Sequence, residues 1–314
     1  MESNNKIILN VCKDIPNHES FIKIEAINKG VSSDAKYYVE TVQGQRYLLR
    51  ISNIESYERK KIMYDMMVRV ASLGVSLSIP VDFGICNNGK NVYQLLTWCD
   101  GETADAVLPR LSFKEQYLLG VKAGQNLKKI HSIPAPPEIE DWYDKFVRVN
   151  DVRIRAFFNC GVHIDCSETI LAFYEENRHL LHGRPQCFIH GDYHNDNLLI
   201  TADGNIVVVD WDLIDDLYAD PWWEFDRILN ANLVPHFTTG QIHGYFDGEP
   251  PEEFWKILAL YLSTGALMLV SWGVNVEPSF RDECIQTANS VIQWFDGMRN
   301  PMPNWYFRKN DILL

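Results

Sequence analysis

The chain has 314 residues, of which 46% are hydrophobic and 23% are charged, so it can build a substantial core and is not an intrinsically disordered protein. Its length fits one large domain or two lobes. The formal net charge of −13 argues against a nucleic-acid partner, because binding to phosphates depends on Lys and Arg. This charge fits a cationic ligand or simple solubility.

The seven cysteines contain no Cys-x-x-Cys pair, so the sequence predicts neither a disulfide framework nor a zinc site. The N-terminal residues lack the basic start and the apolar run of a signal peptide, and we therefore expect a cytoplasmic protein. Residues 257–274 carry no formal charge, but polar residues interrupt them and apolar side chains surround the whole circumference. We predict a helix buried in a large lobe and no membrane contact.

The first hundred residues alternate short apolar runs with turn signals, which predicts a five-stranded sheet. The expected strands cover residues 24–28, 36–42, 47–51, 81–85 and 92–97. Residues 54–73 are predicted to form a helix whose apolar stripe consists of Ile62, Met66, Met67 and Val70.

The turn between the first two strands contains Gly30, Ser32 and Ser33. Such small residues let backbone N–H groups approach phosphate oxygens, as nest-like turns do. The segment is neither a G-x-G-x-x-G loop nor a P-loop. Taken by itself it fits an ordinary hairpin turn better than a phosphate-binding one.

The second part of the chain is predicted to be mainly helical. Residues 113–130 carry apolar side chains at helical spacing, and the proline-rich segment 134–137 ends this helix. Further helices are expected within residues 141–182, and two long helices within residues 252–297.

The most informative stretch lies between residues 188 and 211. Two β-branched, apolar segments flank Asp203-Gly204, which is a strong hairpin signal. The hairpin places Asn197 at its start and Asp210 at its end, so that their side-chain oxygens meet, and Asp192 lies in the preceding loop. Such hard oxygen ligands suit Mg²⁺, which shares phosphate oxygens of a nucleotide. An acidic surface hairpin without chemistry is the alternative.

The sequence His190-Gly-Asp-x-His-x-x-Asn197, followed by Val209-Asp-Trp, resembles the aminoglycoside phosphotransferase and choline kinase family of protein-kinase-like enzymes. The resemblance implies an α+β, bilobed protein-kinase-like fold. An N-terminal nucleotide-binding lobe, residues 1–99, would hold an antiparallel five-stranded sheet plus a helix. A larger, mainly helical lobe, residues 100–314, would hold the catalytic loop and the substrate.

The resemblance also assigns roles to the motif. Asp192 would accept or orient the proton of the substrate hydroxyl, and Asn197 and Asp210 would bind the Mg²⁺ ions that bridge the phosphates. His190 would brace the loop backbone, and Glu224 would bind it in a structural role.

Around the nucleotide, the family places a phosphate-binding cation on the third strand. Arg50 stands at that position, with a surface arginine as the alternative. The acid that pairs with this cation is expected on the following helix, but the matching position is Met63. Glu58 and Asp65, on neighbouring turns, are the candidate replacements.

The resemblance also implies a hinge after the sheet, where the backbone of Thr97 and Cys99 would bond the adenine edge. The turn with Ser32 and Ser33 would cover the phosphates. Two residues of the C-terminal lobe stay open at this point: His194 could contact a phosphate or solvent, and Asp212 could face the phosphates.

The expected function is transfer of the γ-phosphate of ATP or GTP to a hydroxyl of a small molecule, most readily a cationic aminoglycoside. Counter-charges for such an acceptor would come from Asp215, Asp216, Asp220, Asp226, Glu249, Glu252 and Glu253. Macrolides, choline and homoserine are alternative acceptors. A non-catalytic, kinase-shaped nucleotide-binding module is a second possibility, and the expected oligomeric state is a monomer or weak dimer.

A protein kinase is disfavoured. Only thirteen residues separate Asp210 from Glu224, too few for a long peptide-docking activation segment.

Overall fold

The structure is a computed structural model that describes residues 8, 10–28, 34–165, 167–212, 217–228 and 231–312. By its internal contacts the chain forms two compact units. The first comprises Met1–Ala104 and Asp196–Ile214, and the second comprises Asp105–Asn195 and Asp215–Leu314.

The first unit contains the predicted antiparallel five-stranded sheet, in the order β1-β2-β3-β5-β4. Its strands are β1 (Phe21–Ala26), β2 (Ala35–Thr41), β3 (Arg46–Asn53), β4 (Pro80–Cys86) and β5 (Asn91–Thr97). Gly44 and Gly89 have φ angles of 76° and 83°, and so their turns use the left-handed conformation that glycine adopts without strain. The strand order confirms the five-stranded sheet that the apolar runs and turn signals predicted.

One helix, α1 (Tyr57–Ser72), follows β3 after a 3-10 turn at Ile54–Ser56. Its buried apolar residues are Met63, Met66, Met67 and Val70. The predicted stripe was wrong at one position, because Ile62 is 46% exposed while Met63 is 1% exposed. Shorter 3-10 turns at Cys12–Asp14 and His18–Ser20 precede the sheet.

A small three-stranded sheet completes the first unit. It consists of β6 (Glu102–Thr103), β8 (Leu198–Ile200) and β9 (Ile206–Val208). Leu198 pairs with Val208 across the Asp-Gly turn, which confirms the predicted hairpin. This hairpin belongs to the first unit because β8 pairs with β6 and Val208 bridges to Leu77. The predicted lobes, 1–99 and 100–314, stay a prediction, whereas the compact units place 196–214 with the first hundred residues.

The second unit is mainly helical. Its helices are α2 (Ala104–Val107), which starts at the unit boundary, α3 (Phe113–Ile130), α4 (Trp142–Asn159), α5 (Ser167–Asn177), α6 (Pro235–Phe246), α7 (Glu252–Asn275) and α8 (Arg281–Trp294). Two short strands, β7 (Cys187–Phe188) and β10 (Tyr218–Ala219), pair beside them. Its 3-10 turns are Leu108–Arg110, Arg178–Leu181, Trp223–Arg227 and Pro278–Phe280.

The helix α7 is the long apolar segment noted in the sequence. Among the described residues it is the one helix long and apolar enough to cross a membrane by length and composition, and 72% of its most apolar window is buried inside the protein. It packs against α4, α5 and α8. Its burial agrees with the predicted core helix of a large lobe.

The helices α3 and α6 approach so closely that their backbones touch. A Cβ atom on Gly120 or Gly124 would overlap a carbonyl oxygen of α6, and one on Gly240 or Gly244 would overlap a carbonyl oxygen of α3. The four glycines therefore set the distance between the two helices, and α6 was not predicted from the sequence.

We expect Gly124→Ala to lower the free energy of unfolding by about 1–3 kcal/mol, because its methyl group would overlap the carbonyl oxygen of Gln241. The matched control is Gly265→Ala on α7, where nothing lies within 4 Å of the new methyl group. That variant should gain up to about 1 kcal/mol from helix propensity. Urea unfolding monitored by circular dichroism measures both, and equal shifts would contradict the close packing.

Candidate active site

The candidate residues fall into two groups, one in each compact unit. In the first unit, the hairpin β8–β9 carries Asn197 at one end and Asp210 at the other. The N–H of Val209 donates to the carbonyl oxygen of Asn197 at 3.0 Å, which continues the hairpin by one bond and keeps the two residues adjacent. Asp210 has a φ of 59°, in the left-handed region that Asp and Asn tolerate better than most residues.

Arg50 on β3 contacts the predicted metal carboxylate directly. Its side chain is 2% exposed, so the surface-arginine alternative was wrong. Its Nη1 lies 3.2 Å from Oδ1 of Asp210, and its Nη2 lies 3.0 Å from Oδ2 of Asp212. The structure thus brings the predicted phosphate-binding cation and a predicted metal ligand together.

The principal acid beside Arg50 is Asp34, which lies just before β2. Its Oδ2 accepts hydrogen bonds from Nε of Arg50 at 3.0 Å and from Nζ of Lys60 at 2.7 Å, and its Oδ1 accepts one from Ser52 at 2.6 Å. Burial raises the pKa of Asp34, but the charge of Arg50 and the hydrogen bonds from Lys60 and Ser52 outweigh it and lower the pKa. Asp34 is therefore ionised at neutral pH.

The helix α1 contributes a cation to this cluster where an acid was expected. Nζ of Lys60 also lies 2.8 Å from Oδ2 of Asp212. Glu58 is exposed and Asp65 pairs with Lys61 at 2.6 Å, so both candidate acids for Arg50 were wrong. Met63 is buried, and the negative charge comes from β2 and from the end of the hairpin instead.

Asp212, left open by the sequence, is a member of this cluster. Besides Arg50 and Lys60 it contacts Arg59, whose Nη2 lies 3.0 Å from Oδ1. Burial raises its pKa, but the Lys60 hydrogen bond and the charges of Arg50 and Lys60 outweigh this effect, and the pKa is lowered.

The remaining nucleotide-binding candidates include Thr97, the last residue of β5, and Cys99 just after that strand. The N–H of Thr97 donates to the carbonyl oxygen of Ile79 at 2.9 Å, and the carbonyl oxygen of Thr97 accepts from the thiol of Cys99 at 3.9 Å. The thiol of Cys99 lies 3.6 Å from the Ser78 hydroxyl. Both roles stay predictions. Ser32 and Ser33 lie outside the described residues.

In the second unit, Glu224 binds the backbone of the catalytic loop as predicted. Its carboxylate accepts from the N–H of His190 at 3.0 Å and from the N–H of Gly191 at 2.5 Å. His131 lies 2.8 Å from the same carboxylate through Nε2 and 3.0 Å from the Tyr245 hydroxyl through Nδ1. Burial raises the pKa of Glu224, but its bonds to His131 and the charges nearby outweigh burial and lower it.

Asp192 lies in this loop, with its side chain 29% exposed. Its N–H donates to Nδ1 of His190 at 3.3 Å, the bracing contact expected of that histidine. Nε2 of His194 lies 3.2 Å from Oδ2 of Asp192. Burial raises the pKa of Asp192, but the His194 hydrogen bond and the charges of His194, Arg227 and His190 lower it overall. His194 therefore steadies the predicted catalytic carboxylate, a role that its position in the sequence did not reveal.

A model of the phosphotransferase enzyme family, APH, matches residues 23–255. The chain belongs to this phosphotransferase family. The membership that the histidine-glycine-aspartate motif suggested is thereby confirmed. No curated protein matches the chain.

Solved structures of several kinases share the fold. A choline/ethanolamine kinase family protein from Mesorhizobium loti has a TM-score of 0.65 and 15% identity, covering 96% of this chain and 97% of its own. The ternary complex of streptomycin, ATP and APH(2")-IIa has a TM-score of 0.61 and 18% identity, covering 91% and 97%. Amicoumacin kinase hAmiN, in complex with AMP-PNP, Ca²⁺ and Ami, has a TM-score of 0.59 and 14% identity, covering 96% and 95%. The predicted kinase-like fold is confirmed.

The oxygen donors of this phosphotransferase fit a hard divalent cation. Asp210 offers a carboxylate that is 38% exposed, and the neighbouring Asn197 offers an amide oxygen on a residue that is 7% exposed. A cation bound by so few protein oxygens completes its shell with water and phosphate oxygens, as Mg²⁺ does in nucleotide sites. Among the described residues, no group of three or more His, Cys, Asp or Glu side chains could hold a metal ion.

For the charge cluster of this phosphotransferase, we expect Asp34→Asn to lower the free energy of unfolding by about 3 kcal/mol, because two buried cations lose a shared carboxylate. The control is Asp65→Asn, which breaks an exposed pair on the same unit and should cost no more than about 0.5 kcal/mol. Urea unfolding separates the two. Equal costs would mean that Asp34 does not compensate Arg50.

We expect Glu224→Gln to destabilise the protein by about 2–3 kcal/mol at pH 7, because the ionised acceptor of three buried donors is lost. The pKa of Glu224 is lowered in the folded protein, so its contribution is complete above the unfolded value of about 4.3 and is lost as the pH falls through the folded pKa.

The stability gap between the wild type and Glu224→Gln should therefore narrow below about pH 5. Denaturant unfolding between pH 7 and pH 3 measures this gap. The exposed Glu176, replaced by glutamine, is the control and should show little difference at any pH. A gap that widens on acidification would contradict the ionised state of Glu224.

Proposed function

We propose that this phosphotransferase moves the γ-phosphoryl group of ATP or GTP to a hydroxyl group of a small molecule, most readily an aminoglycoside. The contact between Arg50 and Asp210 carries the proposal, because it joins a phosphate-binding cation to a metal-binding carboxylate in one buried cluster. Transfer of a phosphoryl group needs little covalent help from the protein and depends on position and charge.

In this mechanism Asn197 and Asp210 would hold Mg²⁺, which would offset negative charge on the phosphates. The planar guanidinium of Arg50 donates to phosphate oxygens, and its position is fixed by Asp34 and Asp212. The backbone of Thr97 and Cys99 receives the adenine edge.

Two further parts of the chain complete the proposed mechanism. Ser32 and Ser33, which lie outside the described residues, would contact the phosphates, as the family resemblance implies. Asp192 is ionised at neutral pH, since its pKa is lowered, and it accepts the hydrogen bond of the acceptor hydroxyl. One of its oxygens, Oδ2, is held by His194, so the carboxylate presents a fixed orientation to the hydroxyl. A carboxylate of low basicity aligns the attacking oxygen and takes its proton late, as the new bond to phosphorus forms.

The aminoglycoside proposal is supported by the similarity to APH(2")-IIa in its complex with streptomycin and ATP, and by the net charge of −13. The set of expected counter-charges needs correction. Asp220 is buried and paired with Arg184, and Asp226 is buried as well, so neither can meet a ligand at the surface. Asp215 and Asp216 lie outside the described residues, and Glu249, Glu252 and Glu253 are exposed.

We expect Asp192→Asn to lower kcat by about 10²–10⁴-fold with nucleotide affinity unchanged, because the acceptor hydroxyl loses its hydrogen-bonding base. Asp196→Asn changes an exposed residue of the same type four positions later and is the matched control. Nucleotide turnover is measured with Mg²⁺ and with ATP or GTP against aminoglycosides, a macrolide, choline, homoserine and amicoumacin.

The acceptor panel also tests the substrate. If another acceptor stimulates turnover and no aminoglycoside does, the proposed aminoglycoside substrate is wrong, while the proposed kinase activity stands. Wild-type protein that binds nucleotide and phosphorylates nothing would favour the non-catalytic module. Met63, at the position where the family places an acid, favours that alternative, but Asp34 and Asp212 supply negative charge beside Arg50.

A further inference from the structure

A second cation, Lys36, lies beside Arg50 and the carboxylate of Asp210. In the antiparallel pair of β2 and β3, Lys36 stands directly opposite Arg50, so both side chains lie on the same face of the sheet. Nζ of Lys36 is 3.4 Å from Oδ1 of Asp210, the oxygen that Arg50 also contacts at 3.2 Å. The side chain of Lys36 is only 12% exposed.

The contact of Lys36 is poor for a cation at this depth. A hydrogen bond between an ammonium and a carboxylate is normally about 2.7–2.9 Å long, and an ammonium has three protons to donate. Lys60, in the same cluster, meets two carboxylates at 2.7 and 2.8 Å. In the described part of the chain, the ion pair of Lys36 is the long one to Asp210. Such a long contact stabilises the fold little, so stability alone does not explain why the ammonium of Lys36 lies at this depth.

The charges of the cluster indicate what Lys36 could bind. Among the described residues, the ion pairs of this cluster join four cations, from Lys36, Arg50, Arg59 and Lys60, with three carboxylates, from Asp34, Asp210 and Asp212. The excess is one positive charge. A divalent cation on Asp210 would compete with Lys36 and Arg50 for the same oxygen and would raise the excess further. A ligand with several negative charges would balance this arrangement, and a polyphosphate has that chemistry.

We propose that Lys36 is a second phosphate-binding residue, which together with Arg50 binds the polyphosphate of the nucleotide when a metal ion takes Asp210. This inference rests on the proposed function. It also makes a specific statement about coupling: Lys36 weakens metal binding in the absence of nucleotide and strengthens nucleotide binding, so its removal has opposite effects on the two ligands. A residue with a purely structural role would weaken both.

The test uses the full-length protein and binding rather than turnover. Isothermal titration calorimetry is carried out with ATP, ADP and adenosine, each with Mg²⁺ and with EDTA. We expect Lys36→Gln to raise the Kd of ATP about 10- to 100-fold, because one cation–phosphate contact is lost. Adenosine binding should be unchanged. Lys36→Arg, which keeps the charge, should restore ATP binding to within a few-fold of the wild type. Lys23→Gln, on β1 and half-exposed, is the control and should change nothing.

The second arm measures metal alone, with Mn²⁺ as the probe and its electron paramagnetic resonance signal as the readout. Lys36→Gln should bind Mn²⁺ several-fold more tightly than the wild type, because a cation next to Asp210 is removed. Thermal unfolding monitors the fold of each variant, and Lys36→Met, which keeps the aliphatic stem, repeats both arms if the glutamine variant is unstable.

The outcomes separate the two proposals. Wild type that binds neither ATP nor GTP ends the proposed function, and this inference with it. Wild type that binds ATP while Lys36→Gln binds it within twofold of the wild type overturns the role of Lys36 alone. A loss of adenosine binding equal to the loss of ATP binding, or weaker Mn²⁺ binding, would also overturn it, because either result indicates a structural role.

Discussion

The side chain of Arg50 is 2% exposed, and a buried guanidinium without a counter-charge is costly, so folding has to bring negative charge to it. The chain does this with residues far apart in sequence. Asp34 lies just before β2, and Asp212 follows the hairpin that comes after the loop of Asp192. Lys60 on α1 binds the same two carboxylates. Sheet, helix and hairpin of the first unit are thereby joined through one set of charges, and that set determines where the hairpin presents Asp210.

The second unit uses a buried carboxylate in a different way. Glu224 is bound by backbone N–H groups and by His131, and it holds the loop of His190 and Gly191 rather than a cation. Arg227 supports the same loop, since its Nε donates to the carbonyl oxygen of Gly191 at 3.2 Å. The loop that carries Asp192 therefore keeps its shape through hydrogen bonds to its main chain.

Local signals in the sequence predicted the parts of the fold that are locally determined. The hairpin of β8 and β9 follows from one Asp-Gly turn between β-branched segments, and the helix over residues 113–130 follows from its apolar spacing. The catalytic motif predicted the family for the same reason, because its members lie within a few residues of each other. The structure confirmed these elements with shifts of a residue or two at their ends.

What the sequence did not reveal depends on contacts between distant segments. The helix α6 is buried on all sides, with ten of its twelve residues buried, so it shows no amphipathic period, and its two glycines disfavour a helix locally. The partners of Arg50 lie 16 and 162 residues away and leave no local pattern. The neighbouring acids Glu58 and Asp65 looked better by spacing, but both lie on the solvent side of α1.

Tyr193 follows the proposed catalytic aspartate directly, and its hydroxyl donates to the carbonyl oxygen of Ala123 at 2.8 Å. Ala123 lies on α3 next to Gly124, where that helix touches α6 backbone to backbone. The separation of these two helices is set by main-chain atoms, which do not change with the side chains that surround them. The hydrogen bond from Tyr193 thus fixes the loop to the part of α3 whose distance from α6 is set by main-chain contact. Amino-acid replacements elsewhere in the core leave that distance unchanged, so the loop can keep its position while the surrounding side chains diverge.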